Sequence, residues 1–229
     1  MLPLNNINER VKWVNDNAQF VINSLDRKAI DKYILIQKKF EDCRVSKNEE
    51  FKTEFKTEFK NFYGMPVAHL GVNFENKFFE IFEDLAENKN VEINLKDVLI
   101  KLHQIKTLKG TNSVQFSFVT KMLHTIDNRK VIYDKMIRIV FNFSENQSPK
   151  IAHEKIENYL NLYTLIQQEY EEVLKNHLLQ KPMKMFDMRF ANIDIHDIKK
   201  LDFIYWFTGR FVNSEIEYFR IKTKKITAF

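Results

Sequence analysis

Four glycines and four prolines in 229 residues constrain this chain more than any motif does. A many-stranded sheet needs a turn every few residues, and Gly and Pro supply most turns. Where they are scarce and apolar residues recur at intervals of three and four, the specified structure is helical. With 44% hydrophobic residues and 21 phenylalanines the chain has ample material for a core and none of the bias of a disordered segment. The expectation is an all-α protein of roughly ten helices. No stretch has the length or Gly/Ser/Pro bias of a linker, so residues 1–229 read as a single helical domain.

The apolar spacing divides the chain. Val11, Val14, Val21, Ile22 and Leu25 form one helical stripe, and Ile30, Tyr33, Ile34 and Phe40 a second. "CRVSKNEE" (43–50) is polar and reads as a loop. The tandem repeat "FKTEFKTEFKNFYGM" places Phe51, Phe55 and Phe59 four residues apart on one helical face, stopped by Gly64 and Pro66. "NFENKFFEIFEDLAEN" starts the next helix, and Asn94 is a cap for "LKDVLIKLHQIK". "TLKGTNS" makes a basic turn into a helix that carries Lys121. "KMIRIVFNF" runs to a loop "SENQSP". Ser148 and Pro149 open a long helix to about Leu179, with Ile156, Tyr159, Leu160, Tyr163, Ile166, Tyr170, Val173 and Leu174 buried. The last helix, "NIDIHDIKKLDFIYWFTGRF", is expected to end at Gly209.

Charge is segregated. The whole chain carries +5, but residues 101–140 hold eight bases and two acids, a net +6. The last twelve residues add four bases and no acid, which leaves the remainder acidic at −5. Such a window is the electrostatic footprint expected for a polyanion, and a Lys-rich, Asn/Ile/Phe-rich composition produces similar clusters without one. "MLPLNNINERVKW" lacks the apolar run of a signal peptide, and no run approaches the ~20 apolar residues of a membrane span. A single cysteine, Cys43, excludes an internal disulfide. These features lead us to expect a cytoplasmic protein without a membrane partner.

Most enzyme classes find no motif here. There is no GxxxxGK[ST], GxGxxG, GxSxG or HExxH, and the six histidines are scattered without ligand spacing. No metal or other cofactor is expected. What remains is "SFVTKMLHTIDNRKVIYDK" (117–135). Val119, Met122, Leu123 and Ile126 occupy i, i+3, i+4 and i+7, which makes them the buried stripe and leaves Lys121 on a semi-polar face. An extended "VIYD" brings the chain to Asp134 at the N-cap position of the next helix. Capping by Asp134 and a snorkelling role for Lys121 are the plain readings. A capping carboxylate is also oriented and kept ionised, so capping does not exclude chemistry.

This arrangement of two helices joined by a turn at Gly110, a lysine in the second helix and an aspartate opening the third resembles the helix-hairpin-helix DNA glycosylase superfamily. The resemblance is carried by "VTKMLH" and "VIYD", similar to an S-K-x-L-H … P-I-Y-D core in an all-α bacterial subset. "FKNFYGM" and "LDFIYWFTGR" extend it loosely over about residues 55–210. It implies a helix-hairpin-helix module at about 94–143 and two helical lobes with a cleft. It also implies a base-excision protein acting on duplex DNA as a glycosylase or glycosylase/lyase. In that chemistry Lys121 is the nucleophile and Asp134 stabilises positive charge on the sugar. An unperturbed lysine, with pKa ~10.4, is almost wholly protonated at neutral pH, so such a nucleophile needs a pocket that lowers it.

DNA contacts are then expected from Lys106, Lys109, Gly110, Thr111, Asn112, Ser113, Lys130 and Arg138. A flipped base is expected against Phe118, His124, Tyr133 and Trp206, each of which reads equally as a core residue. The family's hairpin carries Gly-x-Gly where "LKGTNS" has Gly110 alone, and Val131 stands in place of a common proline. The rival reading is a non-catalytic helical module of the same fold that binds nucleic acid or a protein.

Overall fold

The computed structural model describes residues 4–46, 48–88, 93–143 and 151–226, with side chains to residue 215 in the last helix. Among the described residues every regular element is helical, and the one β-type pairing is an isolated bridge between Lys106 and Asn112. No described helix is long and apolar enough to cross a membrane. Packing divides the chain into two compact units. The first draws on Met1–Leu25, Val131–Gln147 and Thr164–Phe229, and the second on Asp26–Lys130 and Ser148–Tyr163.

In the first unit α1 (Ile7–Asp16) starts where the Asn6 side chain accepts from the Glu9 amide at 3.0 Å. The single helical stripe expected from Val11 to Leu25 is broken at Asn17, whose side-chain amide donates to the Trp13 carbonyl at 2.8 Å, and α2 (Ala18–Asn23) follows. Helices α8 (Lys135–Val140), the later half of α9 (Ala152–Lys175), α10 (Gln180–Arg189) and α11 (Asp197–Ile226) complete this unit. Gly209 does not end α11. A β-carbon there would lie 2.3 Å from the Met136 carbonyl oxygen, so this glycine is where α11 and α8 pack backbone to backbone.

The second unit is built on phenylalanine. Helices α3 (Arg27–Ser46), α4 (Glu49–Tyr63) and α5 (Val72–Glu87) bury Phe40, Phe55, Phe59, Phe78, Phe79 and Phe82. Phe59 alone meets Phe55, Phe78, Phe79 and Phe82 at centroid separations of 5.8, 5.8, 5.9 and 5.4 Å. Phe51, expected on the same stripe, is 40% exposed because the core does not reach the first turn of α4. In α3 Ile36 rather than Ile34 completes the buried face.

The polar segment 43–50 is mostly helix rather than loop. Arg44, bonded to Glu41 at 3.0 and 2.6 Å, supports the last turn of α3, and Asn48 caps α4 by accepting from the Glu50 amide at 2.8 Å. Gly64, at φ +70°, ends α4 as a left-handed cap, with the Met65 amide donating to Lys60 at 2.9 Å. Helices α6 (Leu95–His103), capped by Asn94, and α7 (Phe116–Ile126) follow. The expected start of the long helix at Ser148 and Pro149, and the loop "SENQSP" before it, lie outside the described residues.

Candidate functional site

The basic turn between α6 and α7 is closed by its own hydrogen bonds. The Thr107 amide and hydroxyl both donate to the Thr111 carbonyl, at 2.9 and 3.0 Å, and the Gly110 amide donates to Thr107 at 2.9 Å. Gly110 sits at φ +72°, a conformation open to glycine at no steric cost. The Asn112 side chain donates to the His103 carbonyl at 2.7 Å, tying the turn to the end of α6. Lys106, Lys109, Gly110, Thr111 and Asn112 are exposed, and Ser113 is half-buried, its Oγ accepting from the Gln115 side-chain Nε2 at 2.6 Å. The turn is thus a pre-ordered, positively charged loop.

α7 buries Val119, Met122, Leu123 and Ile126, the stripe expected from spacing. Lys121 lies off it, half-buried. Its amine donates to Ser117 Oγ at 2.9 Å and lies 5.4 and 5.2 Å from the ring centroids of Tyr63 and Phe118. The helix ends at Asp127, whose carboxylate accepts from the Arg129 amide at 3.0 Å and from Arg129 Nε at 2.8 Å. The Arg129 guanidinium holds the Asp127 carboxyl below its usual range. Residues 127–130 therefore form a tight turn with Lys130 half-buried at its end.

His124 belongs to the core of this unit. It is fully buried, with Nδ1 2.6 Å from the Lys130 carbonyl and Nε2 2.9 Å from the Tyr33 hydroxyl. A carbonyl can only accept, so Nδ1 carries a proton and donates to Lys130, while Nε2 is hydrogen-bonded to the Tyr33 hydroxyl. Phe118 is buried as well. Replacing His124 with leucine removes a hydrogen-bond partner of the Lys130 carbonyl and of the buried Tyr33 hydroxyl at once. The expected loss is about 2–4 kcal/mol in urea unfolding, against about 1 kcal/mol for Tyr33→Phe.

The remaining sequence-selected residues belong to the first unit. Val131, Ile132 and Tyr133 are buried in extended chain leading to Asp134. Asp134 is the N-cap of α8: its Oδ1 accepts from the Met136 and Ile137 amides at 2.8 and 3.0 Å. Arg138 is half-buried on α8, and Trp206 is half-buried on α11 with the Arg210 guanidinium 5.0 Å over its ring. Tyr170 is fully buried, and its hydroxyl is pushed well above the usual phenol range. Burial is the main cause, followed by the charges of Asp202, Tyr205 and Asp134.

Two buried polar groups of this unit were missed in the sequence. Arg10 and Glu169 form an ion pair joined by Tyr205. Lys199 and Asp202 pair at 2.6 Å with side chains only 4% and 6% exposed. The second was legible as a Lys-x-x-Asp step inside the apolar run of α11, a spacing that places both side chains on one face. The first joins residues 159 positions apart, and no local pattern announces it. Among the described residues no group of three or more His, Cys, Asp or Glu side chains is gathered as a metal site would need. Comparisons with family models, curated proteins and solved structures return no match.

Proposed function

We propose that the chain is a helix-hairpin-helix DNA-glycosylase-like protein that excises a damaged or modified base from duplex DNA, with Lys121 as nucleophile. The observation that carries the reading is the setting of Lys121. Its amine is off the buried stripe, half-buried on the faces of Tyr63 and Phe118 and fixed by Ser117, in the helix that follows the basic turn. Attack of the neutral amine on the anomeric carbon breaks the glycosidic bond and releases the base. Ring opening then gives a Schiff base, and loss of a proton beside it expels the 3′ phosphate. Asp134 supplies negative charge for the sugar cation. Lys106, Lys109, Lys130 and Arg138, with the turn amides, serve as phosphate contacts.

Borohydride trapping on duplexes carrying an abasic site, uracil or 8-oxoguanine tests this. Wild-type protein is expected to give a covalent adduct, and Lys121→Gln none. Asp134→Asn separates charge from capping, because an asparagine side chain still accepts from the amides of α8. It is expected to slow trapping at least about a hundredfold while unfolding within about 0.5 kcal/mol of wild type. Absence of an adduct on every duplex removes the lyase role.

The burial of Phe118, His124 and Tyr133, three of the four residues assigned to a base pocket, favours a second reading: a module that holds duplex DNA without flipping a base. That reading predicts DNA affinity that falls steeply with salt and no adduct. Each of Lys106→Gln and Lys109→Gln should then reduce the salt slope by about one.

A further inference from the structure

Where α3, α4 and α5 meet, the phenylalanine cluster of the second unit does not close completely. A groove of about 340 Å³ remains, within the size range of small-molecule sites. Its floor is made by Phe40, Phe55, Phe79 and Phe82, whose rings pack against one another at 5.4 Å for Phe40–Phe55, 5.4 Å for Phe55–Phe82 and 6.2 Å for Phe79–Phe82. Cys43 forms part of the wall. Burial, and after it the charge of Glu83, pushes the thiol upward, so it stays protonated and acts as a small apolar surface.

The rim decides the ligand. Lys56 Nζ lies 2.6 Å from one oxygen of Glu83 and Lys52 Nζ 3.8 Å from the other, so a single carboxylate bridges two ammonium groups beside an aromatic floor. Arg44 and Glu87 also line the groove. Arg44 is itself bonded to Glu41 at 2.6 Å and Lys52 to Glu49 at 2.8 Å, so Lys56 is the base whose main partner is Glu83, and Glu83 occupies the place a ligand's negative end would take.

We propose that this groove binds a small amphipathic carboxylate, with its apolar body on the phenylalanine floor and its charged end between Lys52 and Lys56 in place of Glu83. The assignment uses only side chains of α3, α4 and α5 and is independent of any action on DNA. It makes a prediction of opposite sign for two neighbouring substitutions. Removing the internal competitor, by Glu83→Gln, strengthens binding of an anion, whereas Lys52→Gln with Lys56→Gln weakens it. A site for cations reverses both signs.

Cys43 is the only cysteine in the chain, which makes it a reporter that needs no mutation. Its rate of alkylation by N-ethylmaleimide is followed by mass spectrometry with decanoate added below its micellar concentration, and with decanol and decylammonium as neutral and cationic counterparts. Decanoate is expected to slow labelling saturably, by at least about tenfold, and decylammonium by less than about twofold. Glu83→Gln should lower the half-protecting decanoate concentration about threefold, and the double lysine variant should raise it by at least as much. The proposal is overturned if decanoate leaves the wild-type rate unchanged. Protection by decanol or decylammonium equal to that by decanoate also overturns it, as does an increase in half-protecting concentration in Glu83→Gln.

Discussion

Gly209→Ala is expected to destabilise the protein by about 3 kcal/mol or more, although the same change at an ordinary helix position stabilises by up to about 1 kcal/mol. The new β-carbon would stand 2.3 Å from the Met136 carbonyl oxygen, 2.7 Å from its carbon and 3.0 Å from its Cα. All three are backbone atoms, so no rotamer change relieves the overlap. The two helices have to separate, and the buried residues that seal their contact, Ile137 and Val140 on α8 and Ile204, Tyr205 and Thr208 on α11, lose packing together. Urea unfolding of the alanine variant reads the effect directly. A neutral or stabilising result would mean that the backbones are not in contact here.

That glycine shows how far the fold was legible in sequence. The apolar stripe of α7, the Asn94 and Asp134 caps and the left-handed stop at Gly64 all follow local rules, and local rules place them correctly; in α9 they bury Ile156, Tyr163, Ile166, Tyr170 and Val173 but leave Tyr159, Leu160 and Leu174 half-buried, and the helix ends at Lys175 rather than near Leu179. Gly64 and Gly209 look alike in sequence, each near the end of an apolar helical run. One turns left-handed and the helix stops; the other meets a second backbone and the helix continues. The difference is tertiary, and spacing along one helix does not contain it. The same limit explains Phe51, which shares the periodicity of Phe55 and Phe59 but lies at the open edge of the α3–α4 contact, beside Leu35, Lys38 and Asp42. It also explains residues 43–46, where polarity marks an exposed helical turn rather than a break.

At the candidate site the sequence told more about Lys121 than about its neighbours. An off-stripe lysine in an apolar helix is a period argument, and the half-buried amine on Tyr63 and Phe118 agrees with it. His124 was harder to read: three positions from Lys121, it turns inward, because both of its ring nitrogens find partners in the Tyr33 hydroxyl and the Lys130 carbonyl. The turn at 127–130 that provides this carbonyl is itself set by Asp127, a residue that only its side-chain bonds to Arg129 distinguish from a generic surface acid.

The second large effect is expected at the Arg10–Glu169 pair, where Glu169→Ala should cost about 3–5 kcal/mol of unfolding free energy. Arg10 Nε donates to Glu169 Oε1 at 2.8 Å, Nη2 donates to Oε2, and Nη1 donates to the Leu4 carbonyl at 2.9 Å. The Tyr205 hydroxyl adds a donor to Oε1 at 3.1 Å, and the guanidinium lies 4.5 Å over the Phe141 ring. With side chains 7% and 8% exposed, neither charge has water to fall back on once its partner is gone. Most of the loss in either single variant is therefore the cost of leaving one charge buried alone. It follows that Arg10→Met combined with Glu169→Leu should cost far less than the two single changes added together. Arg10→Lys should fall between wild type and Arg10→Met, because an ammonium keeps the charge but not the two-pronged geometry. Salt separates this pair from exposed ones such as Lys12–Asp16 and Arg27–Asp31. Raising ionic strength screens those and leaves the Glu169→Ala loss unchanged, whereas a loss that shrinks with salt would mean that water reaches the pair.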